Sequence, residues 1–245
     1  MSFNELGLSP ELLRALKPKS YPEPTPVQRE FIPVALTGQD IWVTAPTGSG
    51  KTVAYALPLI EHLTRSAAQP ATVLGRNTKT PQTLVLVPTR ELAIQVGQTF
   101  MSLSAHLGKL CKVTVVFGGV SINPQMMGLR GGTDILIATP GRLLDLMDHN
   151  ALKISQVQTL VLDEADKLLE LGFQDELRQI LDALPHKRQN LFLSATRPSS
   201  IESLAHSLLV QPHEIHIVGE TPQPAVIAQR VIYTDTSKRT QLLKH

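Results

Sequence analysis

Short runs of apolar, β-branched residues alternate along this chain with longer stretches of helical periodicity, and this alternation limits the fold more than any other feature. A strand, a helix and a second strand in that order form a parallel βαβ unit. Most of the strand candidates are continuous apolar runs, as expected for strands that helices cover on both faces. These candidates are residues 40–45, 83–87, 112–116, 134–137, 159–162, 190–193 and 214–218. The sequence therefore predicts an α/β fold with a mostly parallel central sheet and helices on both of its faces.

The region before the first strand candidate predicts an added N-terminal segment. Ser9 is a suitable N-cap for a short helix that has Pro10 at its first position. Residues 21–26 alternate proline with other residues and must be extended, because each proline restricts the residue before it. We therefore expect residues 1–39 to pack on a core domain formed by residues 40–218.

Two other segments have the composition of loops and linkers. Residues 66–82 lack periodicity and are rich in Ala, Thr and Pro, which predicts a mobile surface loop. Residues 219–245 begin with the composition of a linker and continue with a strand candidate at 229–234 and the start of a helix at 237–245. One strand and part of a helix cannot bury a core, so we expect the first elements of a truncated second domain there.

The bulk composition excludes several classes of protein. The net charge is only +2 over 245 residues, so any surface for nucleic acid must be a local patch. The single cysteine, Cys111, excludes an internal disulfide and is expected to be at least partly buried. We expect Trp42 to pack in the core. The eight histidines show no metal-ligand spacing. Without a signal peptide or an apolar run of roughly 20 residues, we expect a cytoplasmic protein that does not enter membranes.

A glycine-rich run joins the first strand candidate to a helical stretch. It reads Ala45-Pro-Thr-Gly-Ser-Gly-Lys-Thr52, and its glycines let backbone N–H groups turn toward an anion. The helix that begins near Lys51 adds the positive end of its dipole, roughly half a charge. In such a loop the lysine reaches the β- and γ-phosphates of a nucleotide and the Thr52 hydroxyl binds Mg²⁺. The predicted phosphate-binding residues are Thr47, Gly48, Ser49, Gly50, Lys51 and Thr52.

Carboxylates follow the strand candidate at 159–162. Asp163-Glu-Ala-Asp166 lies where that strand ends, and open parallel sheets bind their ligands at this edge. Asp163 suits Mg²⁺, often through water, and Glu164 can orient and deprotonate an attacking water molecule. Taken alone, these acids could simply begin a helix. Together with the phosphate-binding loop they predict a nucleotide-hydrolysing site with Lys51, Asp163 and Glu164 as its catalytic residues.

These motifs resemble those of the DEAD-box RNA helicases, whose name is the one-letter reading of residues 163–166. The resemblance covers nearly the whole chain and implies a RecA-like P-loop NTPase domain, the first of two, that binds ATP and Mg²⁺. It also implies that Gln28 pairs with adenine, since an amide both donates and accepts hydrogen bonds, while Phe3 or Tyr21 packs near the base. Ser20 and Pro46 stand where the family usually has Gly and Gln, and neither departure affects the phosphate-contacting positions.

Three more motifs are similar to the RNA-contacting motifs of the same family. Each follows a strand candidate, so all three should emerge at one edge of the sheet and hold successive phosphates, with little preference for RNA sequence. Any one of them alone would be an ordinary helix start or turn. The RNA-binding residues that the resemblance implies are Pro88, Thr89, Arg90, Gly118, Gly119, Thr139, Pro140, Gly141 and Arg142.

A last motif, Ser194-Ala-Thr196, resembles the one that couples the nucleotide state to strand separation in that family. We expect the hydroxyls of Ser194 and Thr196 to bind the Asp166 side chain; the alternative is a plain cap for a helix at Pro198. Residues 117–127 and the opening Met-Ser-Phe resemble, more narrowly, the bacterial RhlE-type branch.

The arginine fingers of the family lie in its second domain. We therefore expect this chain, as a monomer, to bind nucleotide with little hydrolysis and no unwinding until that domain is present. Two alternatives stay open: a nucleotide-gated RNA clamp without turnover, and a DNA-directed helicase or another P-loop ATPase. Glu164 argues against the clamp, because clamping needs no general base. Gln28 and the acidic motif argue against the second alternative.

Overall fold

The computed structural model describes residues 2–16, 21–68, 80–105, 111–218 and residue 235. Within these residues seven strands form one sheet: β1 Ile41–Thr44, β2 Thr83–Leu86, β3 Val113–Val116, β4 Ile135–Ala138, β5 Thr159–Leu162, β6 Gln189–Ser194 and β7 His213–His216. Their order across the sheet is β3-β4-β2-β5-β6-β1-β7, and every pair is parallel. The predicted α/β fold is confirmed, and each strand lies within two residues of its predicted bounds.

Helices connect the strands and precede the first of them. They are α1 Pro10–Leu16, α2 Pro26–Ala35, α3 Lys51–Ala68, α4 Arg90–Ser104, α5 Asn123–Leu129, α6 Pro140–Asp148, α7 Ala165–Glu170, α8 Gln174–Ala183 and α9 Ser199–Leu208, with a 3₁₀ turn at Phe3–Glu5. The Ser9 hydroxyl accepts a hydrogen bond from the Leu12 N–H at 3.4 Å, as an N-cap does. Helix α3 begins at Lys51, as predicted.

The two faces of the sheet bury separate cores. Along β1, Ile41 and Val43 pack with α1 to α4, whereas Trp42 between them packs with α6 to α9 on the other face. The predicted core position of Trp42 is thereby confirmed, and Cys111 is half-buried as expected. The N-terminal segment adds Leu6 and Leu12 to the first of these cores.

The structure corrects one sequence-based expectation and does not describe the residues of another. The prediction that a loop begins at residue 66 was wrong, because α3 continues to Ala68; residues 69–79 lie outside the described residues. The strand at 229–234 and the helix at 237–245 also lie outside them. In the described part of the chain, no helix is long and apolar enough to cross a membrane.

Candidate active site

The parallel arrangement brings every motif to the carboxyl edge of the sheet. The glycine-rich loop leaves β1, the acidic run leaves β5, and the Ser194-Ala-Thr196 turn leaves β6, which lies between those two strands. The remaining motifs leave β2, β3 and β4 on the other half of the same edge. We call these two groups the β1/β5/β6 half and the β2/β3/β4 half.

The glycine-rich loop needs its two glycines. Gly48 and Gly50 have φ angles of 79° and 94°, a backbone region that residues with a side chain rarely adopt. A Cβ atom at Gly50 would lie 2.6 Å from the Gln28 amide nitrogen. The Ser49 hydroxyl oxygen is buried, and within the described residues it has no hydrogen-bond partner. The conformation of this loop therefore depends on its glycines, and the Ser49 hydroxyl remains available for a ligand.

Lys51 begins α3 and is buried. Its ammonium group donates to the backbone carbonyls of Ala45 at 2.6 Å and Pro46 at 3.0 Å, which uses two of its three N–H bonds. Burial lowers the pKa of Lys51, while the charges of Asp163 and Glu164 oppose that shift. The lysine thus faces the acidic run across the loop and keeps one donor for a ligand.

Gln28 ties the N-terminal segment to the same loop. Its side-chain carbonyl accepts from the Thr25 N–H at 3.1 Å, and its amide nitrogen donates to the Gly50 carbonyl at 3.1 Å. Each amide atom retains capacity for one more hydrogen bond. Phe3 is buried in the core and Tyr21 is half-buried at its margin. The adenine-binding role of these three residues stays a prediction.

Asp163 lies buried at the end of β5, with both carboxylate oxygens held. Oδ2 accepts a hydrogen bond from the Tyr55 hydroxyl at 2.8 Å, and Oδ1 accepts one from the Glu164 N–H at 2.9 Å. Burial raises the pKa of Asp163; the Tyr55 hydrogen bond and the Lys51 charge work against that rise. Its orientation is therefore fixed by the protein.

Glu164 has an unusual backbone. Its φ and ψ are 49° and 50°, the left-handed region, which costs a residue other than glycine roughly 1–2 kcal/mol. Its carboxylate forms an ion pair with Lys167 at 2.9 Å, which raises the pKa of that lysine. Left-handed residues outside turns often belong to functional sites.

Asp166 links β5 to the turn after β6. Its Oδ2 accepts from the Thr196 hydroxyl at 2.9 Å and from the N–H groups of Thr196 and Ala195 at 3.0 and 3.2 Å. Burial favours the neutral acid, but hydrogen bonds from Thr196 and the Lys167 N–H prevail, so the pKa of Asp166 is lowered. The predicted hydrogen bond from Thr196 to Asp166 is therefore confirmed.

Ser194 makes contacts beyond the expected one. Its hydroxyl donates to the Thr196 carbonyl at 2.6 Å and accepts from the Thr196 N–H, so it shapes the turn, and its interaction with Asp166 also lowers the pKa of that carboxyl. Neither hydroxyl caps a helix, because the N-cap of α9 is Pro198. The alternative of a plain helix cap is excluded.

The motif residues of the β2/β3/β4 half range from exposed to buried. Arg90 is exposed and lies over the Phe117 ring at 5.0 Å, while Thr89 caps α4 through a hydrogen bond from the Leu92 N–H. The Gly118 N–H donates to the Thr139 hydroxyl at 3.3 Å. Around Gly119 and Gly141, as around Gly118, no atom lies within 4 Å of an added Cβ. Pro88 and Pro140 are buried at the starts of their helices.

Arg142, predicted to hold a phosphate, is only 7% exposed. Its guanidinium group donates to the Val120 carbonyl at 2.7 Å and lies 3.4 Å from the Asp145 carboxylate. It therefore supports the loop that contains Gly118 and Gly119. Its Nη1 atom is buried without a partner among the described residues, and this atom remains for a phosphate.

Two contacts at this edge were not predicted from the sequence. Tyr55 lies in an apolar helix and belongs to none of the motifs, although its hydroxyl binds Asp163. Arg197 stacks over Trp42 at 3.5 Å and donates to Glu214 on β7 at 3.0 Å. A tyrosine one helical turn after Thr52 was the available signal for the first contact. No local signal indicated the second, because it joins three distant parts of the chain.

Known proteins similar to this chain belong to one group. DEAD-box ATP-dependent RNA helicase 9, a mitochondrial protein of Arabidopsis thaliana, is 41% identical over 223 residues, which are 91% of this chain and 35% of that protein. DEAD-box ATP-dependent RNA helicase CshA of Streptococcus pneumoniae is 38% identical over 232 residues, 95% of this chain and 42% of that protein. ATP-dependent RNA helicase DBP2 of Candida albicans is 40% identical over 248 residues, covering 100% of this chain and 42% of that protein.

The chain thus spans between about a third and two fifths of the length of these relatives. The sequence profile of one family, described as DEAD/DEAH box helicase, matches residues 25–204, which include the glycine-rich loop, the acidic run and the Ser194-Ala-Thr196 turn. This protein chain belongs to the DEAD/DEAH box helicase family.

Proposed function

We propose that this chain is the ATP- and RNA-binding first domain of an ATP-dependent RNA helicase. The observation that carries the proposal is the arrangement of three charged side chains at the carboxyl edge. Lys51 at the start of α3 faces Asp163 and Glu164, and their charges act on one another. The Glu164 carboxylate pairs with Lys167 whereas the Asp163 carboxylate accepts from Tyr55, so the two acids can serve different purposes.

In this proposal Asp163 and Thr52 hold Mg²⁺, directly or through water, and Glu164 acts on the attacking water molecule. The residues present fit such a cation, because Asp163 is a buried carboxylate fixed by two donors beside a phosphate-binding loop. When bound, Mg²⁺ neutralises charge on the β- and γ-phosphate oxygens. The loop residues 47–52 bind the phosphates, and Gln28 binds adenine with Phe3 or Tyr21 beside it.

RNA would lie on the β2/β3/β4 half of the edge. Support comes from its glycines with open space around them, from Arg90 and from the unpartnered Nη1 of Arg142, which together suit a sugar-phosphate backbone. Asp166 with Thr196 would couple the nucleotide state to strand separation, and their hydrogen bond joins the acidic run after β5 to the turn after β6 within the β1/β5/β6 half. The names of the relatives, which are ATP-dependent RNA helicases, favour RNA over DNA.

Several finer expectations belong to the same proposal. Hydrolysis and unwinding would need arginines from a second RecA-like domain, which would follow residue 218 in the chain. The protein would be a cytoplasmic monomer of the RhlE-type branch, and that branch assignment depends on residues 117–127 and the opening Met-Ser-Phe.

The proposal can be tested by calorimetric titration of the chain with ADP and ATP in the presence of Mg²⁺, using Lys51→Ala as the control. We expect saturable binding that Lys51→Ala abolishes, and almost no phosphate release in a steady-state assay on the same samples. Absence of nucleotide binding by the unmodified chain would contradict the proposal. Strong phosphate release would contradict the need for a second domain.

Substrate class needs a separate titration. A single-stranded RNA and a DNA of the same sequence differ only in the 2′-hydroxyl and the thymine methyl group, so the comparison isolates the sugar when uracil replaces thymine in the DNA. We expect RNA to bind more tightly in the presence of ATP. Equal affinity for both strands would favour the DNA-directed alternative.

A further inference from the structure

Tyr55 is the one buried tyrosine in the described part of the chain, and it lies beside the proposed metal site. It stands on α3, one helical turn after Thr52, and its side chain is 0% exposed. Its hydroxyl donates a hydrogen bond to Asp163 Oδ2 at 2.8 Å. Tyr55, on the helix that begins with Lys51, therefore contacts Asp163, which follows β5.

Packing alone does not explain the hydroxyl. The Tyr55 ring lies in the core against Phe100, with ring centroids 6.0 Å apart, and phenylalanine would fill the same space. Placing a hydroxyl in such a core is unfavourable unless it finds a partner. Here the partner is Asp163, a side chain of the proposed site, and the Thr52 side chain also interacts with the hydroxyl.

The ring cannot swing away from this contact, since it is enclosed on all sides by core residues. Asp163 Oδ1 is held at the same time by the Glu164 N–H at 2.9 Å. Two donors, one from α3 and one from the backbone after β5, therefore set the rotation of the carboxylate. Each carboxylate oxygen keeps a further lone pair for a ligand, and the Lys51 charge acts on this carboxylate.

We propose that Tyr55 is a positioning residue, whose hydroxyl orients the Asp163 carboxylate so that it and Thr52 can hold Mg²⁺ together. The inference rests on the proposed function, because it needs a magnesium nucleotide at this edge. Outer hydrogen bonds of this kind orient metal ligands and hold them in one geometry. Tyr55 touches no substrate in this account and acts only through Asp163.

The test separates the magnesium-dependent part of nucleotide affinity from the rest. ADP affinity is measured calorimetrically for the unmodified chain and for Tyr55→Phe, once in excess Mg²⁺ and once in EDTA. The ratio of the two affinities gives the contribution of Mg²⁺. We expect Tyr55→Phe to reduce this ratio roughly tenfold, as loss of an outer hydrogen bond to a metal ligand does, with the affinity in EDTA unchanged.

Two further variants sharpen the result. Thr64→Val removes a hydroxyl that binds only the Ile60 carbonyl on the same helix, and it should leave the ratio unchanged. In an Asp163→Asn background, Tyr55→Phe should have no further effect on the ratio, since both residues act as a unit. An additive effect of the two substitutions would overturn the inference.

Other outcomes are equally clear. Equal loss of ADP affinity with and without Mg²⁺ would mean that Tyr55 only supports the fold, and no change in either affinity would mean that Asp163 is oriented without it. Either result overturns this inference and leaves the proposed function standing. Failure of the unmodified chain to bind ADP at all would overturn the proposed function and this inference with it.

Discussion

The two halves of the carboxyl edge are built differently. In the β1/β5/β6 half hydrogen bonds join the functional residues to one another: the buried Tyr55 to Asp163, the buried Gln28 to the Gly50 carbonyl, and the exposed Thr196 to Asp166. In the β2/β3/β4 half the chain presents glycines with open space around them and an exposed Arg90. The buried side chain of Arg142 binds the protein's own loop there.

This difference follows from the ligand that each half is proposed to bind. A nucleotide with Mg²⁺ needs fixed ligands at fixed distances, and fixing them in advance avoids the cost of ordering them on binding. An RNA backbone is long, flexible and repetitive, and close approach of exposed backbone N–H groups suffices to hold it. Substitutions in the first half should therefore change stability and binding together, whereas those in the second should change binding alone.

The largest effect should come from Gly50→Ala. An alanine there combines a φ of 94° with a Cβ atom 2.6 Å from the Gln28 amide nitrogen. If roughly 2–3 kcal/mol of strain results, ADP binding in the presence of Mg²⁺ should weaken roughly 30- to 150-fold by calorimetry. Gly48→Ala is the matched control, because its φ is also positive but no atom lies within 4 Å of the new Cβ. Equal losses in both variants would contradict a role for the Gln28 contact.

A second effect concerns stability. Asp166→Ala leaves the Thr196 hydroxyl and the N–H groups of Ala195 and Thr196 without their acceptor. We expect the free energy of unfolding in urea at pH 7 to fall by about 2 kcal/mol, since hydrogen bonds to a charged group are among the stronger ones. Glu170→Ala, at the exposed end of the same helix, should change it little. Equal stability of the two variants would contradict the proposed link between β5 and β6.

The third prediction uses the lowered pKa of Asp166. A carboxyl whose folded-state pKa lies below its unfolded value adds stability above the unfolded pKa, near 4, and loses it as the pH falls through the folded-state value. Thr196→Val removes one donor to this carboxylate and should cost about 1 kcal/mol at pH 7. The difference from the unmodified chain should shrink as unfolding is repeated at pH 5, 4 and 3. A constant difference would mean that Thr196 acts by packing alone.

The smallest effect is expected in the open half. Gly118→Ala meets no atom within 4 Å and has no positive φ, so the melting temperature should not change. If RNA phosphates approach this backbone, the added methyl group should weaken binding of single-stranded RNA roughly threefold, under 1 kcal/mol. Fluorescence anisotropy with labelled RNA measures this. Unchanged RNA affinity, or a lowered melting temperature, would contradict the expectation that substitutions in the β2/β3/β4 half change binding alone.

Much of this arrangement could be predicted from the sequence because its signals are local. The glycines and acids directly follow predicted strand ends. Because parallel strands have their carboxyl ends at one edge, Lys51 and Asp163 could be predicted to lie at the same edge. Tyr55 could not be assigned in this way, because in an apolar helix its spacing matches that of core residues. The additional contacts of Arg142 and Ser194 could not be predicted for a related reason: a motif gives the residue type, whereas the partner of each polar atom depends on tertiary packing.

The most direct test of the contrast is amide hydrogen exchange with three samples: the chain alone, with ADP and Mg²⁺, and with single-stranded RNA. We predict that the nucleotide slows exchange in residues 45–52 and 163–166, while RNA slows exchange in residues 117–120 and 139–142. Protection of the same residues by both ligands, or of neither set, would contradict the division of the edge into a nucleotide half and an RNA half.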